Sequence, residues 1–397
     1  MKVLTTYFPI LLSLIGVSSF CTQAQFKIDL GEGRELQISQ TFQIWDVLTT
    51  AIPGANDADN RNDIFIRRGR FAFDGRLRPD MSFNLIVAFD GIGKDTLTPT
   101  SGTPNAGDNR DAYIWEASWT WNVSSLANLT FGYFRPQVGK EQISSEFYVI
   151  SFDKSLADNQ PRIHLVGRST GRETGLNVGG LHLGDGWSVN YNVGMFDLTN
   201  KALVGSDKKW APLLTSRIAF TAGDPEMQKY KISYVQSYYG KRNGTTFGLN
   251  YAYEGETQVF SRNGLYGVDL LSNYGPLDLN AEYDWMYRNS FLVNGATNST
   301  TDKVYSMKLG YIIPLPDGQL LEPTVMYAGE RPDENDAVLS KNTLTGSVNQ
   351  DLFDAGINWL INQDKLKINL HYVWGRKKDK APYENFSYIG AGIQVLY

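Results

Sequence analysis

Beyond Gln25 the chain contains no stretch of about 18 apolar residues, the length a helix needs to cross a bilayer. Yet apolar and polar residues alternate in one segment after another. Leu36, Ile38, Phe42 and Ile44 alternate with Gln37, Ser39, Thr41 and Gln43. Phe83, Leu85, Val87 and Phe89 do so with Asn84, Ile86, Ala88 and Asp90, and Tyr113, Trp115, Ala117, Trp119 and Trp121 with Ile114, Glu116, Ser118 and Thr120. Leu279, Ala281, Tyr283, Trp285 and Tyr287 stand against Asn280, Glu282, Asp284 and Arg288, and Leu366, Ile368, Leu370, Tyr372 and Trp374 against Lys367, Asn369 and His371. A period of two marks strands with one apolar and one wet face. A soluble sandwich alternates as well. Here the polar set carries many charges, and aromatics crowd the segment ends as they do at membrane interfaces. The chain also closes on Ser387–Tyr397, mostly apolar at odd positions and aromatic at the last, as terminal strands of outer-membrane barrels are.

The connections alternate too. Gly75–Pro79, Asn122–Asn128, Leu183–Gly186, Gly275–Pro276, Pro314–Gly318 and Asn362–Lys365 are short. Thr49–Asp63, Gly91–Asp111, Asp197–Ala211, Ser290–Thr301 and Gly329–Asn349 are long and polar. Short turns on one side and long loops on the other predict an all-β transmembrane antiparallel barrel of about 16 strands, spanning residues 25–397 as one domain. The stretch Thr221–Gly244 could supply another strand through Tyr230, Ile232, Tyr234 and Gln236. Counting it would make the total odd and reverse every later loop, so a long turn is expected there. A barrel of this size encloses an aqueous channel rather than a packed core. The mean hydropathy of −0.30 excludes a helical membrane protein, and the net charge of −5 argues against a nucleic-acid partner.

Residues 1–24 read as a signal peptide: Lys2, an apolar run around Leu11–Ile15, and Thr22-Gln23-Ala24 before the cut. A transmembrane anchor is the competing reading, weakened by Pro9 and by the polar residues after Ser18. Cys21 is the one cysteine, and cleavage after Ala24 removes it. The mature chain then has no disulfide and no thiol chemistry.

Inside the barrel, charge marks the candidate functional residues. In Arg67-Arg68-Gly69-Arg70-Phe71-Ala72-Phe73-Asp74-Gly75-Arg76, the apolar residues Phe71 and Phe73 set the lipid phase. Period two then turns Arg68, Arg70 and Arg76 to the lumen, where guanidinium forks suit an anion track; pairing with wall carboxylates is the equal alternative. Arg67 falls on the lipid phase, for lipopolysaccharide phosphates or snorkelling. The connection Arg135–Arg168 is too long for a hairpin loop. It carries Arg135, Lys140 and the apolar run Phe147–Phe152, so it is expected to fold inward and narrow the pore rather than cap it. Arg217 and Lys308 are further lumen candidates, beside Glu116, Glu173, Asp269, Glu282, Asp284, Asp354, Lys367 and His371. The mixed signs temper any selectivity. His164, His182 and His371 sit in no catalytic or metal motif, so neither an enzyme nor a metal or cofactor is expected.

Arg67–Phe71 running into Gly75-Arg76-Leu77, Gly132-Tyr133-Phe134-Arg135-Pro136 with Glu141 following, Gly171-Arg172-Glu173-Thr174-Gly175, and Tyr274-Gly275-Pro276-Leu277 before Ala281-Glu282-Tyr283 together resemble the phosphate-selective porin O/P family. The resemblance spans nearly the whole mature chain in order. It implies a 16-stranded pore of the Gram-negative outer membrane, usually a homotrimer, with lumen arginines and a constriction on an infolded loop. Arg68, Arg70 and Arg76 would belong to the arginine row, and Arg135 and Lys140 to the start of the loop. Glu173 stands where the family often has Asp, and the family's dense lysine cluster is missing. The expected function is passive diffusion of small hydrophilic solutes with a bias to anions such as phosphate. The alternatives are a non-selective porin and a plugged structural or adhesive barrel.

Overall fold

The computed structural model describes residues 26–51, 61–102, 111–207, 209–292, 296–333, 348–363, 365–378 and 384–397. The expected signal segment, 1–24, lies outside them, as do parts of several long loops.

Alternation becomes wall. The strands are β1 (Phe26–Gly31), β2 (Arg34–Ala51), β3 (Arg61–Arg78), β4 (Met81–Ala88), β5 (Tyr113–Ser124), β6 (Ala127–Phe134), β7 (Glu173–Leu183), β8 (Trp187–Asp197) and β9 (Leu213–Gly223). There follow β10 (Asn243–Glu254), β11 (Phe260–Tyr274), β12 (Leu277–Phe291), β13 (Thr297–Tyr311), the two-residue β14 (Ile313–Pro314), β15 (Leu320–Arg331), β16 (Gln350–Leu360), β17 (Leu366–Lys377) and β18 (Glu384–Leu396). All 18 belong to one sheet. Setting aside β1, a short extension hydrogen-bonded to β2, and β14, sixteen staves remain, each antiparallel to its sequence neighbour. The ring closes where β18 pairs with β2, and Gln40 and Tyr397 exchange backbone hydrogen bonds of 2.6 and 2.8 Å at the seam. Closure leaves no edge, so backbone polar groups are satisfied inside the sheet, as hydrocarbon requires.

The outward residues Val193, Ile218, Leu249, Tyr251 and Leu370 are about half exposed, an apolar skin that suits acyl chains. The stretch expected to be a turn at 221–244 is a connection, not a wall strand: β9 ends at Gly223 and β10 starts at Asn243. Among the described residues, three short α-helices lie off the wall: α1 (Lys140–Ile143), α2 (Leu156–Val166) and α3 (Lys201–Val204). Gly167, left-handed at φ 72°, stops α2 by donating its N–H to the Ile163 carbonyl.

The expected infolded loop is present. Residues 135–172 leave the long-loop end of β6 and enter the barrel. Leu165, Val166 and Ala157 of α2 pack with Leu203, Leu265, Met286 and Val304 in a dry cluster against one side of the wall. Phe152 stacks on Trp45 of β2 at 4.2 Å on the other side. The lumen is therefore partly a packed core, which barrel size alone does not suggest.

Candidate pore constriction

Two local irregularities aim the charged residues. In β3 the register shifts between Gln43↔Arg68 and Ile44↔Ile66, so Arg67 is the extra residue of a bulge. Strict alternation sent Arg67 to the lipid; the bulge turns it inward instead. Its side chain is buried, ion-paired to Asp153 at 2.8 Å and 5.1 Å from the Trp45 ring centroid. A second shift, between Ile86↔Glu116 and Val87↔Ile114, bulges β5 at Trp115. Trp115 is thus buried in the lumen, not on the outer face with Ala117, Trp119 and Trp121.

Arg68, Arg70 and Arg135 are brought together, each held by the loop. Arg68 pairs with Asp153 at 2.6 Å and donates to Gln43 at 2.7 Å. Arg70 pairs with Asp90 at 2.6 Å and with Glu146. Arg135 donates to the carbonyls of Gln142 and Ser144, closing the start of the loop, and lies 3.9 Å from Glu146. Among these charges Arg172 was not foreseen. The guanidiniums of Arg70 and Arg172 each lie 3.8 Å from the centroid of Trp115. Both cations lie within cation–π range of the same indole, whose π-cloud attracts two like charges to one ring. Above this stack opens a cavity of about 400 Å³, into which Arg67, Arg68, Arg70, Lys154 and Arg162 project, matched in number by Asp90, Asp111, Glu146, Asp153 and Asp158.

Lys140, Arg217 and Lys308 form a second group, deeper and away from that cavity. Lys140 pairs with Glu226 and sits 4.8 Å from the Tyr234 ring. Arg217 grips Asp269 through two hydrogen bonds of 2.6 and 3.1 Å. Lys308 pairs with Glu141, which also accepts the Ser155 N–H at 3.0 Å. Burial alone would raise the Glu141 pKa; the ammoniums of Lys308 and Lys154 outweigh it and hold the group down at about 2. Arg76 joins neither group. It lies exposed near the short-turn end, 3.0 Å from Glu35.

The second group is assembled by a feature the sequence did not announce. The connection 224–242 leaves the short-turn end of β9 and folds into the lumen to meet the loop coming from the opposite end. Tyr234 pairs with Ser144 in an isolated parallel bridge, and its carbonyl accepts the Ser145 N–H at 2.9 Å. The Tyr230 hydroxyl reaches Asn192 at 2.6 Å, and Ser237 reaches Asp278 at 2.6 Å. Together the two segments cover one side of the barrel: on β7–β12 every inward polar side chain is buried. On β2–β5 the inward residues Gln37, Ser39, Asp74, Asn84, Glu116 and Thr120 keep part of their surface.

A profile of the family described as phosphate-selective porin O and P matches residues 40–397. The chain belongs to that family. It is an outer-membrane porin of a Gram-negative bacterium, a diffusion pore and not an enzyme. Solved structures share the fold at low identity. OmpF of Salmonella typhi, in complex with daunomycin, is 12 % identical with a TM-score of 0.59, over 94 % of this chain and 100 % of that one. The anion-selective porin from Comamonas acidovorans is 8 % identical with a TM-score of 0.60, over 92 % and 100 %. The outer-membrane channel DcaP of Acinetobacter baumannii is 13 % identical with a TM-score of 0.56, over 93 % and 99 %. A search of curated protein sequences found no match.

Proposed function

We propose that this porin passes small anions, phosphate among them, along the β2–β5 wall, and that Arg70 and Arg172 against Trp115 form the selective step. The observation that carries this reading is the distribution of wet surface. On β2–β5 Gln37, Ser39, Asp74, Asn84, Glu116 and Thr120 stay partly exposed beside the covered Gln43, Arg68, Arg70 and Ser118, whereas on β7–β12 every inward polar group is buried. Arg68, Arg70 and Arg135 take part as positive wall, while Lys140, Arg217 and Lys308 hold the two infolded segments together and Arg76 meets solute at the far mouth. Because five carboxylates balance the five cations at the cavity, the anion preference is modest. An anion entering exchanges part of its hydration for guanidinium donors.

Single-channel recording in a planar bilayer under a KCl gradient tests this. Wild type should reverse on the anion side, with added phosphate lowering chloride current, and an Arg70→Gln/Arg172→Gln variant should lose both. Selectivity unchanged in the variant would leave a general porin; no conductance in wild type would leave a plugged barrel. Family membership also supports a homotrimer, to be read by light scattering in detergent. The exposed Lys201 and Lys209 at the long-loop rim suit lipopolysaccharide phosphates, in place of the inward Arg67.

A further inference from the structure

On the covered side of the lumen, a row of β12 side chains lacks partners. Asn280, Glu282 and Asp284 stand at every second position, so all three face inward, and none is more than 3 % exposed. Apart from each other's carboxyl group, neither oxygen of Asp284 nor Oε1 of Glu282 meets a hydrogen-bond partner, and neither side-chain polar atom of Asn280 has one. No lysine, arginine or histidine among the described residues pairs with Glu282 or Asp284. Elsewhere in the lumen the buried carboxylates Asp153, Glu146, Glu141 and Asp269 each hold a cation, and Glu254, Asp278 and Glu322 accept from the side chains of Asn263, of Ser237 and Asn273, and of Asn358. Two adjacent ionised carboxylates without a cation are costly to bury.

Three further observations converge on the same space. Ser306 of β13 lies directly across from Glu282, shares its inward face, is 3 % exposed, and its hydroxyl has no partner. Gln142 of the loop is likewise buried with its Nε2 unpartnered. That atom and Glu282 Oε1 lie 3.3 and 2.4 Å from the point where a Cβ on Gly139 would stand. Gly267, facing Asp284 across the sheet, does the same for its neighbour: the Asp284 carboxylate lies where a Cβ on Gly267 would stand. Glycines on the wall and on the loop thus let the two carboxylates lie flat against the backbone.

We propose that Glu282, Asp284 and Ser306 form a calcium site between the barrel wall and the constriction loop. Two carboxylates balance a divalent charge, and the donors are all hard oxygens, the set calcium takes with flexible geometry. No group of three acidic, imidazole or thiol side chains that could hold a metal occurs among the described residues, so neutral oxygens complete the set. Turning the Gln142 amide over presents its oxygen as well. The site acts on the pore through the loop, because the other oxygen of Glu282 accepts the Glu141 N–H at 2.6 Å and Glu141 ties the loop to Lys308. Calcium would pin the loop to the wall, and its removal would free the loop to move.

The test uses the folded full-length porin in detergent, stripped with chelator and titrated with calcium chloride by calorimetry, then recorded in a planar bilayer with calcium or with chelator. Expected are saturable binding at one site per chain, quieter open-channel current with calcium, and loss of both effects in Glu282→Gln/Asp284→Asn, an isosteric change that removes buried charge. Ser306→Ala should weaken binding by roughly tenfold while leaving the wall intact. Absence of saturable binding to the wild type, or equal binding by the double variant, overturns the proposal. So does an infrared carbonyl band of protonated carboxyl groups that calcium does not shift, since the two acids would then share protons instead of a metal.

Discussion

In the proposed passage, Asp153 sets how much arginine charge an ion feels. It binds Arg67 and Arg68 at 2.8 and 2.6 Å and accepts from the Ser101 hydroxyl. Asp153→Asn therefore bares about one positive charge beside the cavity. Across ~8 Å of water that is about 0.5 kcal/mol on a monovalent ion, of opposite sign for the two ions, and so roughly fivefold in the chloride-to-potassium permeability ratio. Reversal potentials of the two proteins under one KCl gradient measure it, and a shift toward potassium would contradict the assignment. Lys154 adds a pH dependence. Burial pushes its ammonium down to about 7, with Asp158 and Glu146 raising it and Arg162 and Arg135 lowering it further. A lowered value means that the charge is present below about pH 7 and lost above it. Anion preference should thus be greater at pH 6 than at pH 8, and Lys154→Met should flatten the profile at its high-pH value. A preference that grows with pH would sink this. At this scale the sequence was legible where alternation ran unbroken: Arg68 and Arg70 point inward as their distance from Phe71 requires. It misled at Arg67 and Trp115, where one bulged residue reverses the phase. The signal was present as odd spacing, outward Ile66 and Phe71 being five apart and outward Ile114 and Ala117 three. Arg172, named only as part of a motif, was not assigned to the lumen because it lies one residue before its strand, where period two says nothing.

Among the elements, the two infolded segments shape the lumen, and only one was readable. The loop 135–172 announced itself by length and by the apolar run Phe147–Phe152, whose backbone is held by Lys367, Asn358 and Asp354 of the far wall. The connection 224–242, expected as a long turn, alternates like a strand because one short pass of it does run extended, its backbone bridged to the loop at Ser144 instead of laddered to a wall strand. Its alternation was real, and its partner was an irregular segment that no periodicity reveals. Replacing residues 227–238 by a short Gly-Ser link should remove Tyr230 and Tyr234, uncover Asn177, Asn190 and Asn192 on β7 and β8, and open the covered side. The expected result is higher single-channel conductance with weaker ion discrimination. Unchanged conductance would mean that the loop alone sets the bore.

For the whole molecule, closure and charge balance decide behaviour together. A sealed ring needs no packed interior to satisfy its backbone, so the lumen is free to hold an arginine-bearing wall on β3 and an acid-rich one on β12, with two segments inserted between them. Fold class, strand number and the wet face were legible because each follows from a repeated pattern summed over sixteen staves, and single misplacements do not alter the sum. Selectivity is a small difference between nearly equal numbers of opposed charges, and a sequence lists those charges without saying which of them face water. That difference should be sensitive to screening. At 1 M salt the Debye length is about 3 Å and at 0.1 M about 10 Å, the second being comparable to the separation of the cavity's ion pairs from a solute in its middle. Anion preference should therefore be clear in dilute KCl and nearly vanish in molar KCl, while conductance per ion stays set by the bore. Reversal potentials at a fixed concentration ratio across that range would show it. A preference that survives molar salt undiminished would instead require direct guanidinium coordination of each passing anion, with Arg70 and Arg172 acting at hydrogen-bond distance and the surrounding balance of charge irrelevant.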